Sequence, residues 1–313
     1  MVDVVQVIGA TGFIGGHVYE ALCSRSYPVV GVGRKSVEFA NVDPSLRFHS
    51  DSLKCGDGTD VRIAKNVGTV IFCAGMAHIQ NPTPEDLEQF FEANCYLPVR
   101  YAKAAIRCGA RRFIFLSSIG VHGEKGNEPV SERSPYAPSN HYSRSKILAE
   151  QKLIKLFEEA DCELVIIRPP MVYGPEAPGN FSRVSSLVKT GLPLPFGGLK
   201  NQRSFLFVGN LVSFIVRCID HPNAAGQVFV VSDDEDVSTR DFVQKIATAQ
   251  KLRCILLPLP SWFFKVAMTL IGQGKAAGKL AAPLTVDCSH AKRSLGWTPP
   301  YSLAEGIRLS FPD

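Results

Sequence analysis

Short apolar runs alternate with longer stretches of helical spacing through the first half of the chain. Val4–Ile8 is an apolar run ending at Gly9, and Gly12–Arg25 follows with apolar positions three and four apart. Val29–Val32 and Val67–Cys73 read as further strands, the second ending at Ala74-Gly75. Pro84–Cys108 reads as one long helix, with Thr83 as its cap and Pro84 at the first helical position. Phe113–Leu116 is a strand ending at Ser117-Ser118, Ser139–Ala160 a helix, and Leu164–Ile167 a strand closed by Arg168-Pro169-Pro170. Strands and helices alternating at these lengths predict an α/β fold, a doubly wound parallel sheet with helices on both faces. After residue 170 the texture changes to a Gly- and Pro-rich stretch. The expected organisation is a nucleotide-binding domain over 1–170, its sheet completed by about 205–231, and a smaller mixed C-terminal substrate lobe from 171–204 and 232–313.

Composition narrows the function classes. The 313 residues are 45% hydrophobic and 20% charged, which suits a globular protein with a sizeable core. The net charge of +5 is mild and its Lys and Arg are dispersed, so a nucleic-acid partner is not expected. Nine cysteines, with no CxxC pair, read as thiols in a reducing compartment rather than a disulfide framework. The seven histidines form no HExxH or HxH pattern, so no metal is expected. The chain opens directly into a strand, without the charged and apolar regions of a signal peptide, and a cytoplasmic location is expected. The run Trp262–Ile271 is too short and interrupted to span a bilayer, and reads as an amphipathic helix packed on the protein, with a membrane-surface helix as the alternative.

Three local patterns carry chemistry. Gly9-Ala10-Thr11-Gly12-Phe13-Ile14-Gly15 lies between a strand and a helix, where glycines admit a pyrophosphate to the backbone and the helix N-terminus attracts it. At the end of the second strand, Gly31-Val32-Gly33-Arg34-Lys35 offers cations and no acid before Glu38. That favours a 2′-phosphate, hence NADP(H), with NAD(H) possible. Tyr142 and Lys146 stand four apart on a helix, so phenol and ammonium share a face, and the cation is expected to lower the phenol toward neutrality. Ser118 ends the preceding strand, where its hydroxyl can hold the oxygen that Tyr142 protonates.

Taken together, these residues resemble the extended short-chain dehydrogenase/reductases, the NAD-dependent epimerase/dehydratase family, over nearly the whole chain. The resemblance implies a Rossmann fold and a catalytic trio of Ser118, Tyr142 and Lys146. It implies cofactor contacts from Gly9, Gly12, Phe13, Ile14, Gly15, Arg34, Asp51, Ala74, Gly75, Asn94 and Pro169, besides Tyr142 and Lys146. The second half resembles the branch that handles sugar nucleotides, UDP-sugar 4-epimerases and 4-ketoreductases of surface-polysaccharide synthesis. There Asn180, Phe196 and Arg203 fall at positions that contact the diphosphate and base, with Ser118 on the sugar. Asn180 can donate to a phosphate oxygen, Arg203 can neutralise one from the cleft between lobes, and backbone near Phe196 can read a base.

The chain departs from the family pattern at Leu97-Pro98, at His122 and at Gly209. The text Ser118-Ile119-Gly120 lacks the acids of the family's dehydratases. The expected reaction is NAD(P)-dependent oxidoreduction at C4 of a UDP-sugar, with reduction of a UDP-4-keto-6-deoxy-N-acetylhexosamine preferred on the strength of Arg34. The alternatives are a UDP-glucose or UDP-N-acetylglucosamine 4-epimerase with bound NAD, and a non-catalytic sensor or scaffold. The family resemblance also implies a homodimer, through the helices containing Asn94–Cys108 and Tyr142–Ala160.

Overall fold

The computed structural model describes residues 3–34, 37–43, 53–54, 60–76, 83–123, 126, 128–260, 278 and 280–312. Asp51, Lys35 and the Trp262–Ile271 run lie outside them.

Seven strands form the main sheet in the order β11-β8-β7-β6-β1-β2-β3. They are β1 (Val4–Ile8), β2 (Val29–Val32), β3 (Val37–Ala40), β6 (Val67–Phe72), β7 (Arg112–Leu116), β8 (Glu163–Arg168) and β11 (Val228–Val230). All neighbours pair in parallel except β2 and β3, which form an antiparallel hairpin. The two-residue strands β4 (Leu53–Lys54) and β5 (Asp60–Val61) pair separately. Uninterrupted burial of β1, β6 and β7 explains their continuous apolar text, because helices cover both faces. From β1 the chain runs one way to β2 and β3, and then the other way from β6 to β11. The crevice therefore opens beyond the carboxyl ends of β1 and β6.

A second sheet has three strands in the order β12-β10-β9: β9 (Met171–Tyr173), β10 (Arg203–Phe207) and β12 (Asp236–Val237). Of the stretch 205–231, Val228–Val230 joins the main sheet and Phe205–Phe207 belongs to this smaller one. The small lobe also holds α5 (Asn180–Lys189), α7 (Thr239–Ala249) and α9 (Leu303–Leu309), whereas α8 (Ser289–Leu295) packs on β11 of the main sheet, with His290 stacked on Phe229. Its core is aromatic: Phe205 stacks on Phe242 at 3.9 Å, and Tyr173 packs edge-on to Phe242. The buried Asp233 carboxylate ties the lobe together, accepting from Phe207 N–H, Asn210 and the Tyr173 hydroxyl. Gly209 is explained by space, since a side chain there would meet the Phe207 ring at 2.5 Å.

Helices on the large domain are α1 (Phe13–Ser24), α2 (Pro84–Phe91), α3 (Leu97–Arg107), α4 (His141–Phe157) and α6 (Val208–Asp220). Arg112, buried at the start of β7, donates to the carbonyls of Cys218, Ile219 and His221 and so fixes the C-terminal end of α6. The expected single helix over 84–108 is instead two α-helices joined by a π-helical turn, Glu92–Tyr96. Pro98 is the physical reason: it has no N–H to offer the Asn94 carbonyl, and its ring crowds that carbonyl, so the helix widens there. Thr83 caps α2 through a reciprocal pair of bonds with Asp86.

Candidate active site

The glycine loop is shaped by close backbone approach. Gly9 has φ of +90°, and a side chain there would meet Ala74 N at 2.8 Å. A Cβ on Gly15 would sit 2.1 Å from the Gly9 carbonyl oxygen. The loop is held onto the sheet by Gly9 N–H to Val32 O at 2.7 Å and by Cys73 N–H to Ile8 O at 2.9 Å. Gly12 caps α1 with no side-chain hydrogen bond, so the first-turn N–H groups around Phe13 and Ile14 face the crevice entrance without a side-chain acceptor. That donor set, with Ala10 to Gly12 unencumbered by bulky side chains, fits a dinucleotide pyrophosphate.

Arg34 is exposed at the turn after β2. Its neighbour Gly33 abuts the glycine loop, because a Cβ there would meet the Thr11 side chain at 2.6 Å. The backbone before Arg34 thus runs beside the loop, at the end of β2 where the adenosine end of a dinucleotide would lie.

Across the crevice, Ala74 and Gly75 pass Asn94 and Lys146. A Cβ on Gly75 would lie 3.0 Å from Asn94 Oδ1 and 3.7 Å from Lys146 Nζ. Asn94, buried in the π-helical turn, accepts from Met76 N–H at 2.8 Å and donates to Met76 O at 2.9 Å. Its amide thereby shapes the segment that walls the crevice.

Lys146 is buried and donates to the Leu116 carbonyl at 2.8 Å, with its ammonium 4.6 Å from the centre of the Phe115 ring. Burial pushes its pKa down to about 8, while Glu150 and Cys73 pull it back up. Tyr142, half-buried, packs edge-on to Phe90 at 6.3 Å. Here the structure corrects the expectation of a phenol lowered by Lys146. Burial is the largest influence and raises the phenol above its ordinary value, with a hydrogen bond from Ser118 lowering it in part. Ser118 Oγ accepts from Gly120 N–H at 3.1 Å, capping the short turn Ile119–His122 and leaving the hydroxyl hydrogen to donate. Ser118 is also locked between strands: Ser117 N–H bonds Ile167 O, and Ile119 N–H bonds Pro169 O.

Beneath the trio lies a network that sequence reasoning missed. Glu150 is fully buried on α4, one turn beyond Lys146 and two beyond Tyr142. Its carboxylate accepts from Ser117 Oγ, from the Tyr136 hydroxyl at 2.8 Å and from both Nε and Nη2 of buried Arg168. Arg168 also reaches His122 Nε2 at 3.0 Å, and His122 Nδ1 meets Pro135 O at 3.1 Å. Burial and Arg168 hold the His122 pKa down, which suits a neutral ring donating at Nδ1 and accepting at Nε2. Glu150 thus ties the helix bearing Tyr142 and Lys146 to the strand ends bearing Ser118 and Pro169. The readable signal was a Glu at four- and eight-residue spacing from the Lys and Tyr.

The small-lobe candidates fare differently. Asn180 is partly buried at the first position of α5, behind Gly179, whose φ is +78°. The Phe196 ring is 1% exposed and belongs to the hydrophobic core, so only the nearby backbone can meet a base. Arg203, expected to neutralise a phosphate from the cleft, is enclosed on the small sheet. It is buried and its Nη1 donates to the Ala282 carbonyl, because β10 is the middle strand of its sheet and the 282–284 segment bridges onto it.

A doubly wound sheet, a glycine loop at its switch point and a Ser–Tyr–Lys group across the crevice define a Rossmann-type nucleotide-binding enzyme. The model of the NAD dependent epimerase/dehydratase family matches residues 5–232, and the chain belongs to that family. It is 40% identical over 309 residues to a UDP-glucose 4-epimerase of Vibrio cholerae, covering 97% of this chain and 93% of that one. It is 26% identical to an N-acetyl-alpha-D-glucosaminyl-diphospho-ditrans,octacis-undecaprenol 4-epimerase of Escherichia coli O157:H7, covering 98% and 94%. The fold matches the UDP-glucuronic acid 4-epimerase of Bacillus cereus in complex with NAD, with a TM-score of 0.74, 21% identity and coverage of 98% and 95%.

Proposed function

We propose that this enzyme inverts C4 of a UDP-sugar by oxidising that carbon and reducing it again on the opposite face. The observation that carries the reading is the convergence of Ser118, Tyr142 and Lys146 beside the Gly9–Gly15 loop, at the strand ends. The residues after Ser118 are Ile119 and Gly120, so this strand end lacks the acids that an elimination would use. The similarity to the Vibrio cholerae UDP-glucose 4-epimerase supports inversion over one-way reduction.

A nicotinamide dinucleotide, when bound, accepts and returns the hydride. The first-turn N–H groups of α1 would hold its pyrophosphate, and Lys146 its ribose. Ser118 donates to the sugar O4 while Gly120 N–H fixes its own oxygen. Tyr142, as its phenolate, takes the O4 proton during oxidation and gives it back on reduction; the charge of Lys146 and of an oxidised nicotinamide, when bound, would offset the burial that raises the phenol. Lys146, a cation at neutral pH, supplies positive charge to the same crevice. In the small lobe, the start of α5 at Asn180 would receive the nucleotide diphosphate. NMR of UDP-glucose and UDP-N-acetylglucosamine incubated with the protein and NAD tests this reading. It predicts the C4 epimer without net cofactor reduction, and an absence of any C4 epimer would refute it.

One observation favours a second reading. Arg34, exposed beside the glycine loop, suits the 2′-phosphate of NADPH and hence reduction of a UDP-4-keto-6-deoxy-N-acetylhexosamine. On that reading Arg34→Ala weakens NADPH by about 1–3 kcal/mol and leaves NADH unchanged. Equal losses by calorimetry would remove it. The exposed Tyr96 and Ile154, beside α3 and on α4, support pairing of two copies through these helices. Light scattering at micromolar concentration should then give a dimer, and a monomer would contradict it.

A further inference from the structure

The small lobe is depleted of acid over two long stretches. From residue 177 to 207 the chain has four Lys or Arg and no Asp or Glu; from 242 to 286 it has six and again none. The fold brings parts of both stretches onto one face. Leu194 N–H donates to Ile255 O and Leu257 N–H to Leu194 O, each at 2.8 Å, and Gln250 reaches Ser185 at 3.3 Å. On this face Leu192 is 65% exposed and Ile255 59%, with Leu187, Leu252 and Leu257 each close to 40%. The cations Lys189 and Arg253 are exposed among them.

Single exposed leucines are ordinary on a globular protein, but four leucines and an isoleucine on two adjoining segments form a patch that calls for a partner. The interleaved charge identifies the partner's chemistry. A second copy of the same face would set cations against cations. A nucleic acid would be met by stacking aromatics, and the exposed apolar side chains here are aliphatic. Aliphatic side chains interleaved with Lys and Arg, without acids, match the boundary of an anionic bilayer. We propose that this face of the small lobe docks on an anionic lipid surface. Leu192 and Ile255 enter the headgroup boundary, and Lys189 and Arg253 meet lipid phosphates. The docked face lies on α5, its following loop and the 252–257 segment, apart from the Ser118–Tyr142–Lys146 group.

Sedimentation with vesicles tests the proposal. The full chain should pellet with vesicles of mixed phosphatidylcholine and phosphatidylglycerol and stay in solution with phosphatidylcholine alone. About 1 M salt, where the screening length is about 3 Å, should release it. Leu192→Asp combined with Ile255→Asp, and separately Lys189→Glu combined with Arg253→Glu, should each lower the partition about tenfold or more. Circular dichroism checks that both variants keep the fold, and the two sets fail independently if one misfolds. No preference for the anionic vesicles, or folded variants that bind like wild type, would overturn the proposal. So would concentration-dependent self-association that both variants abolish without any lipid binding, because the face would then join two copies of the chain.

Discussion

Two buried cations, one in each half of the molecule, face in different directions. Lys146 sits at the strand ends of the large domain, with its ammonium on the Leu116 carbonyl and within reach of Gly75. Arg203 begins the middle strand of the small sheet and turns its guanidinium to the Ala282 carbonyl. Both positions were expected to carry ligand chemistry. The difference lies in who supplies the surroundings. Lys146 owes its placement to α4 and the adjacent strand end, whereas Arg203 is enclosed by a segment some eighty residues later in the chain. Lys146 therefore meets the crevice at the carboxyl ends of the main sheet, where ligands bind in such folds, whereas Arg203 meets the backbone of a segment packed on the small sheet.

The largest effect expected from breaking this arrangement is at Glu150. Glu150→Gln leaves Arg168 buried without its carboxylate and should cost about 3–5 kcal/mol of stability in denaturant titration. It also removes the carboxylate that keeps Lys146 charged, so the alkaline limb of the activity profile should move to lower pH. A stable variant with an unmoved limb would show that the network serves neither role.

Tyr142→Phe comes next. It should lower turnover about 10²-fold while dinucleotide binding persists, because only the proton transfer is lost. A near-normal rate would place the proton donor elsewhere.

Arg203→Ala sharpens the comparison from the other side. Losing the bond to Ala282 should cost about 1–3 kcal/mol of thermal stability and leave the KM for a UDP-sugar unchanged. A raised KM at unchanged Tm would restore the cleft-facing role.

The last effect is electrostatic and accrues gradually with pH. Lys146 has a folded pKa near 8, below its ordinary value of 10.5, so between these values the unfolded chain binds the extra proton. Its contribution to stability is therefore least below about pH 8 and rises through this window, by at most about 1.4 kcal/mol per pH unit. In Lys146→Met that rise should be absent, and an identical pH dependence in both proteins would contradict the shifted value.

What the sequence made legible follows from how local each feature is. The glycine loop and the Tyr142–Lys146 pair are set by spacings of three and four on single elements, and the structure puts the loop between β1 and α1 and the pair on α4. The alternating strand and helix text likewise reported the main sheet, because burial on both faces leaves continuous apolar runs. The π-helical turn was visible only as Pro98 inside a helical pattern, and its consequence, the grip of Asn94 on Met76, needed coordinates. The spacing put Glu150 on the face of Lys146 and Tyr142, but its partners Arg168, Tyr136 and His122 come from other segments, so nothing in the sequence announced their meeting. The burial of Phe196 and Arg203 was hidden for the same reason, since it depends on chain that returns from beyond residue 250.

The central claim is that hydride leaves and returns to one carbon while Tyr142 handles the proton on its oxygen. A UDP-sugar deuterated at C4 tests it most directly, with the products resolved by NMR. The account predicts inverted product that retains deuterium at C4, with no exchange against solvent. Inversion with loss of the label to water would contradict it, because the carbon would then have been deprotonated.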